Sequence, residues 1–96
     1  MAQTEFIQII LPEQMDLATA APLARSLLAV RGQPIALDAS KVKKIGGLCL
    51  QVLISAHITW KADNIPARIE HPSASFKDAL AVFGAFPILN AAVNHV

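Results

Sequence analysis

The sequence predicts an α/β domain in which a small mixed or parallel sheet carries helices that pack mainly on one of its faces. Three observations lead to this fold class. Short runs rich in β-branched residues are typical of strands, longer segments place apolar residues at helical spacing, and the two kinds of segment alternate along the chain. The length of 96 residues suits one domain, which we expect to span residues 1–96.

The first strand and helix occupy the first third of the chain. Residues 5–11 (EFIQIIL) predict a strand, and a helix follows from Asp16, a plausible N-cap. Gly32 is placed to end this helix, because glycine adopts the left-handed conformation there without strain. The predicted core face of the helix consists of Leu17, Ala20, Ala24, Leu27 and Leu28.

The second strand and helix enclose a basic loop. Residues 34–38 (PIALD) predict a buried strand, and residues 39–44 predict a loop. Gly46-Gly47 opens a helix that we expect to continue to about Asp63. Its predicted i, i+4 row consists of Leu48, Val52, Ala56 and Trp60.

A third strand and helix complete a β-α-β-α-β-α order. Residues 66–70 (PARIE) predict the strand, and Ser75 with Asp78 resembles the capping box of a helix. We expect one or two more helical turns in residues 86–96. The apolar face predicted for the third helix consists of Phe76, Ala79, Leu80 and Phe83.

Composition excludes several classes of function. The chain is 54% apolar and 16% charged with a net charge of +1, which argues against nucleic acid as a partner. It lacks a run of about 18 apolar residues and a basic amino-terminal flank, so we expect a cytoplasmic protein without membrane insertion. So small a domain has more apolar surface than it can easily bury, which hints at a protein partner.

Gly46-Gly47 is the sharpest local feature, and it has two explanations. A helix start without side chains leaves N–H groups free for an anion or for a partner's backbone. Alternatively, the strand and helix pack so closely that a side chain at either glycine would clash.

The residue types needed for catalysis or metal binding do not form a recognisable pattern. We expect Cys49 to be a buried, inert thiol, and the three histidines, His57, His71 and His95, lack metal-ligand spacing. His57 near Lys61 faintly resembles a phosphotransfer histidine, but those domains are helical bundles. Asp38 at a strand end is the best-placed acid, and one acid is not a catalytic set. We therefore expect neither an enzyme nor a cofactor.

Residues 37–53 (LDASKVKKIGGLCLQVL) resemble the central signature of STAS domains, the sulphate-transporter and anti-sigma-factor-antagonist family. That signature is a strand ending in Asp-x-Ser, followed by a loop and by Asp-Ser-[Ser/Thr]-Gly-Leu at a helix start. The resemblance extends back to residues 11–20 and forward through Trp60 to the helix at 76–83, and thus covers nearly the whole chain.

The chain departs from this signature at the position that the family phosphorylates. The signature Asp falls on Gly46, the phosphorylated Ser on Gly47, the next Ser/Thr on Leu48 and the usual Gly on Cys49. The resemblance therefore implies a stand-alone bacterial member that lacks the phosphoacceptor. Ser40 and Ser55 remain as ordinary hydroxyls.

The resemblance implies a protein that acts by docking through the surface of residues 38–53. Our leading hypothesis is a signalling adaptor for a chemotaxis-type histidine kinase or an anti-sigma-type kinase. The alternative is the small STAS subunit of a phospholipid ABC transporter, docked on its ATPase. A homodimer formed by two copies is a further alternative. The expected partner-binding residues are Asp38, Ser40, Lys43, Lys44, Gly46, Gly47, Leu48 and Gln51.

Overall fold

A computed structural model describes residues 5–84 of the chain, in which strands and helices alternate as predicted. Two additional strands of two residues each interrupt the predicted order. In chain order the elements are β1 (Ile7–Ile10), β2 (Gln14–Met15), α1 (Leu17–Ala29), β3 (Ile35–Asp38), β4 (Lys44–Ile45), α2 (Gly47–Ala62), β5 (Ala67–Glu70) and α3 (Ala74–Val82).

The central sheet has the order β1-β3-β5, and both of its strand pairs are parallel. Alternate residues of β3 and β5, including Ile35, Leu37 and Ile69, join the hydrophobic core with the helices. Helix α1 connects β1 with β3 and α2 connects β3 with β5, the arrangement expected of βαβ units, and α3 follows the last strand. The predicted α/β fold class with a small sheet is confirmed.

A second, two-stranded sheet pairs β2 with β4, which begins at Lys44, the last residue of the segment that the sequence predicted as a loop. The carbonyl oxygen of Glu13 accepts hydrogen bonds from the backbone N–H groups of Lys43 and Lys44, at 2.9 and 3.1 Å. The Gly46 N–H donates to the carbonyl oxygen of Met15 at 2.9 Å. These bonds hold the amino-terminal end of α2 beside the amino-terminal end of α1.

The predicted core face of α1 is partly wrong. Ala20, Leu23 and Leu27 are buried, whereas Leu17 and Leu28 are 77% and 65% exposed. Because α1 is apolar on most of its circumference, its periodicity did not identify which leucines would face the sheet. Gly32 adopts the expected left-handed conformation, with φ of +89°.

Helix α2 occupies its predicted position, between the N-cap Gly46 and the C-cap Asp63. Leu53 and Trp60 lie in the core at 1% and 2% exposure. The indole N–H of Trp60 donates to the carbonyl oxygen of Gln33 at 2.7 Å and so ties α2 to the turn after α1. Within residues 5–84, no helix is both long enough and apolar enough to cross a membrane.

The N-cap of α3 is Ser73, and the predicted cap at Ser75 is wrong. The Ser73 hydroxyl accepts the backbone N–H of Phe76 at 3.0 Å and donates to the carbonyl oxygen of Val42 at 2.6 Å. Phe76 and Leu80 are buried as predicted, whereas Phe83 is 52% exposed. The helical turns predicted for residues 86–96 lie outside the described residues.

Candidate functional site

The start of α2 lies where the carboxyl end of β3, the loop after it and the small β2-β4 sheet meet. The loop begins at Ala39, whose N–H donates to the carbonyl oxygen of Glu70 at 2.9 Å. It ends at β4, which leads through Gly46 into α2. The topology therefore brings residues 38–51 to one end of the domain, where ligands of parallel α/β sheets bind.

Neither glycine at this helix start is required by the backbone or by close packing. Gly46 has φ of −86° and ψ of 166°, values that any residue adopts at an N-cap. A Cβ atom on Gly46 would lie 3.6 Å from the carbonyl oxygen of Met15, and one on Gly47 would lie 3.4 Å from the ring of Phe83. These are ordinary contact distances, so the explanation by a steric clash is wrong.

Asp38 and Ser40 shape the loop that precedes the site. The Ser40 backbone N–H donates to the Asp38 carboxylate at 2.9 Å, which makes the tight turn common after a strand-end aspartate. Hydrogen bonding from Ser40 also lowers the pKa of Asp38 below its ordinary value. Asp38 therefore holds the loop in shape, while the Ser40 side chain is exposed.

The two predicted lysines differ in their surroundings. The Lys43 ammonium lies 3.3 Å from the Glu13 carboxylate, and both side chains are largely exposed, so this pair adds little stability. Lys44 belongs to β4 and is exposed, as is Lys41 in the preceding loop. The loop thus presents positive charge beside the start of α2.

Leu48 and Gln51 face solvent on the first turns of α2, and Leu48 is 48% exposed. Together with Gly47 they line a groove of about 510 Å³ that also includes residues sequence analysis did not assign to the site: Leu50, Ile54, Phe83 and Gly84. No local signal could have found Phe83, because it approaches Gly47 only through the tertiary packing of α3, which contacts β4.

Two side chains on α2, Cys49 and His57, carry reactive groups, and burial shifts the pKa of each. The Cys49 thiol is buried and donates to the carbonyl oxygen of Asp16 at 3.2 Å. Burial raises the pKa of Cys49, and the Asp16 carboxylate raises it further, so the thiolate is disfavoured. His57 is half-buried beside Ala67 and Arg68, and burial, aided by Lys61, lowers its pKa.

The arrangement can bind a macromolecule through shape and apolar contact. In residues 5–84, no three His, Cys, Asp or Glu side chains come together in a way that could hold a metal ion. The exposed groups at the site are the apolar side chains of Leu48 and Phe83, the amide of Gln51 and the loop lysines. Fold and site together define a small α/β interaction domain.

The particular family follows from comparison with known proteins. The family described as "Mlab, STAS domain" matches residues 3–87. The chain therefore belongs to the STAS domain family, as residues 37–53 indicated. STAS domains are generally non-enzymatic binding domains, which gives this chain a general role in protein interaction or regulation. No curated protein matches the chain.

Proposed function

We propose that this protein is a non-enzymatic signalling adaptor that docks on a chemotaxis-type histidine kinase or an anti-sigma-type kinase. The observation that carries the proposal is the start of α2, where Gly46 and Gly47 leave an uncharged, accessible helix end beside exposed Leu48. This is the position at which the STAS resemblance places partner contacts. A cytoplasmic location and the absence of catalysis belong to the same proposal.

Docking at this surface is constitutive in our proposal. A phosphoserine at a helix start would add charge and three acceptor oxygens, and Gly47 has no hydroxyl to accept a phosphoryl group. The space around Gly47 supports this interpretation, because a serine Cβ would fit there at 3.4 Å from the Phe83 ring. A lack of room for the Cβ atom therefore does not explain the glycine at this position.

The eight predicted contact residues divide into two roles in this proposal. Gly46, Gly47, Leu48 and Gln51 touch the partner directly, and Lys44 attracts its acidic groups. Lys43 contributes less because of its pairing with Glu13. Asp38 and Ser40 act by holding the loop in place.

Introducing an aspartate at Gly47 tests the docking surface. Gly47→Asp places a negative charge where a phosphoserine would stand and should weaken binding of the purified kinase at least about tenfold. Gly47→Ala is the matched control, because it adds the Cβ without the charge and should bind nearly as the natural chain does. Equal affinity of the natural chain and Gly47→Asp would show that the contact lies elsewhere.

A transporter subunit is the second candidate, and the exposed apolar side chains along α2 favour it. Leu48 and Ile58 are 48% and 57% exposed on the helix that would dock on an ABC ATPase. The missing hydroxyl at Gly47 counts against it, since the resemblance to the small subunit of phospholipid transporters implies one nearby. Affinity purification from the source cell discriminates: an ABC ATPase would overturn the kinase proposal, and a sensor kinase would overturn the transporter.

A further inference from the structure

A second apolar groove runs between α1 and α2 and has a volume of about 350 Å³. Its wall on α2 follows a spacing of four, three and four residues, the spacing that accepts side chains of another helix. Leu28, 65% exposed, stands on the wall formed by α1, and Leu48 stands on the other. The row on α2 is Leu48, Val52, Ser55 and Thr59, and α1 contributes Ala24, Leu27 and Leu28.

The two helices that form this groove carry basic residues and no acidic ones. Helix α1 contains Arg25 and α2 contains Lys61, and neither helix contains Asp or Glu. The chain's net charge of +1 therefore hides an excess of basic charge on these two helices.

The acidic residues at the ends of the two helices are already engaged. Asp63 bonds to Arg31 at 3.1 Å, and Asp16 accepts the Thr19 hydroxyl at 3.1 Å. Arg25 is exposed on α1, three residues before Leu28 and hence on the same side of the helix. Within residues 5–84, Arg25 is in no ion pair, so it is available to a partner.

We propose that this groove binds an amphipathic helix of the partner that carries acidic residues beside its apolar stripe. Charge selects this occupant over two others. The chain's own residues 85–96 contain no Asp or Glu, and a second copy would present the same basic helices. The inference rests on the proposed docking function and extends the contact from the start of α2 along its length.

Synthetic peptides of about 13 residues, the length of α1, test the inference on the full chain. One peptide has leucines at four-three-four spacing flanked by glutamates, and its counterpart has lysines in place of the glutamates. Fluorescence anisotropy should show the acidic peptide binding at least about tenfold more tightly, with affinity falling as salt rises. Equal binding of both peptides, or of neither, would refute the inference.

Variants locate the binding site. Leu28→Glu should weaken binding of the acidic peptide at least about tenfold, and Arg25→Glu should shift the binding preference towards the basic peptide. Ile58→Glu is the matched control, since Ile58 is similarly exposed but does not line the groove. An equal loss in the control would overturn the assignment. The assignment would also be overturned if sedimentation showed a dimer that Leu28→Glu abolishes. It would equally be overturned if NMR spectra showed the peptide displacing residues 85–96 from the groove.

The groove and the proposed function fail separately. If the peptide does not bind but Gly47→Asp weakens binding of the kinase, the groove inference is wrong and the docking function holds. If the peptide binds the groove but the kinase tolerates Gly47→Asp, the proposed function is wrong and the groove inference holds.

Discussion

Ser73 connects α3 to the loop that leads into the candidate site, and its replacement by alanine should destabilise the protein. The hydroxyl makes two hydrogen bonds, accepting from the Phe76 N–H at 3.0 Å and donating to the Val42 carbonyl at 2.6 Å. Val42 is 1% exposed, so its carbonyl group has little access to replacement water. Ser73→Ala removes both bonds and adds no bulk.

The expected loss follows from these two bonds. An N-cap replaced by alanine costs about 1 kcal/mol, and a lost hydrogen bond to a buried carbonyl costs about 1 kcal/mol more. The free energy of unfolding should fall by about 2 kcal/mol. For a chain of this size, each 1 kcal/mol corresponds to about 4–8 °C in Tm.

Urea unfolding followed by circular dichroism measures this loss, with Ser75→Ala as the control. Ser75 is exposed in the first turn of α3 and caps nothing among residues 5–84, so its alanine variant should change stability by less than about 0.5 kcal/mol. A larger loss for Ser75→Ala than for Ser73→Ala would refute the assignment of the cap.

Three further predictions concern α2. Burial lowers the pKa of His57 from its ordinary value of 6.5, so the unfolded chain binds the proton more tightly. The free energy of unfolding should therefore fall as pH drops below about 6.5, and His57→Gln should remove that part of the decline, as urea titrations across pH would show. If both proteins lose stability equally over this range, His57 is not its source. Leu53→Ala should cost about 2–5 kcal/mol, because Leu53 is 1% exposed in the core, and a loss below about 1 kcal/mol in urea would contradict that packing. Gly46→Asp should raise stability by about 0.3–1 kcal/mol by capping α2 and complementing its dipole, whereas a thermal midpoint lower than the natural chain's would indicate crowding against Met15.

Local sequence signals predicted the ends of helices well where the interaction that ends the helix involves only residues close in sequence. Asp16 and Gly46 mark the starts of α1 and α2, and Gly32 follows the end of α1 with φ of +89°, because caps and left-handed residues depend on the adjoining backbone. Ser73 and Ser75 both precede helical spacing, and only the direction of the Ser73 hydroxyl towards Phe76 and Val42 distinguishes them.

The candidate site was predictable as a segment but not as a surface. The signature in residues 37–53 identified the loop and the start of α2 in one continuous stretch. Ile54 lies on α2 seven residues after Gly47, whereas Phe83 joins the groove from the end of α3. The contribution of Phe83 depends on how α3 packs, and no spacing within the sequence encodes that distance.

The sequence by itself determined the alternation of strands and helices, the STAS family and the glycine pair at the start of α2, since these depend on residue type and local order. Tertiary structure alone decided the pairing of β2 with β4, the exposure of Leu17 and Leu28, and the approach of Phe83 to Gly47. Two-residue strands form only when their partner is present, and a helix that is apolar on most of its circumference acquires a buried side and an exposed side only when it packs.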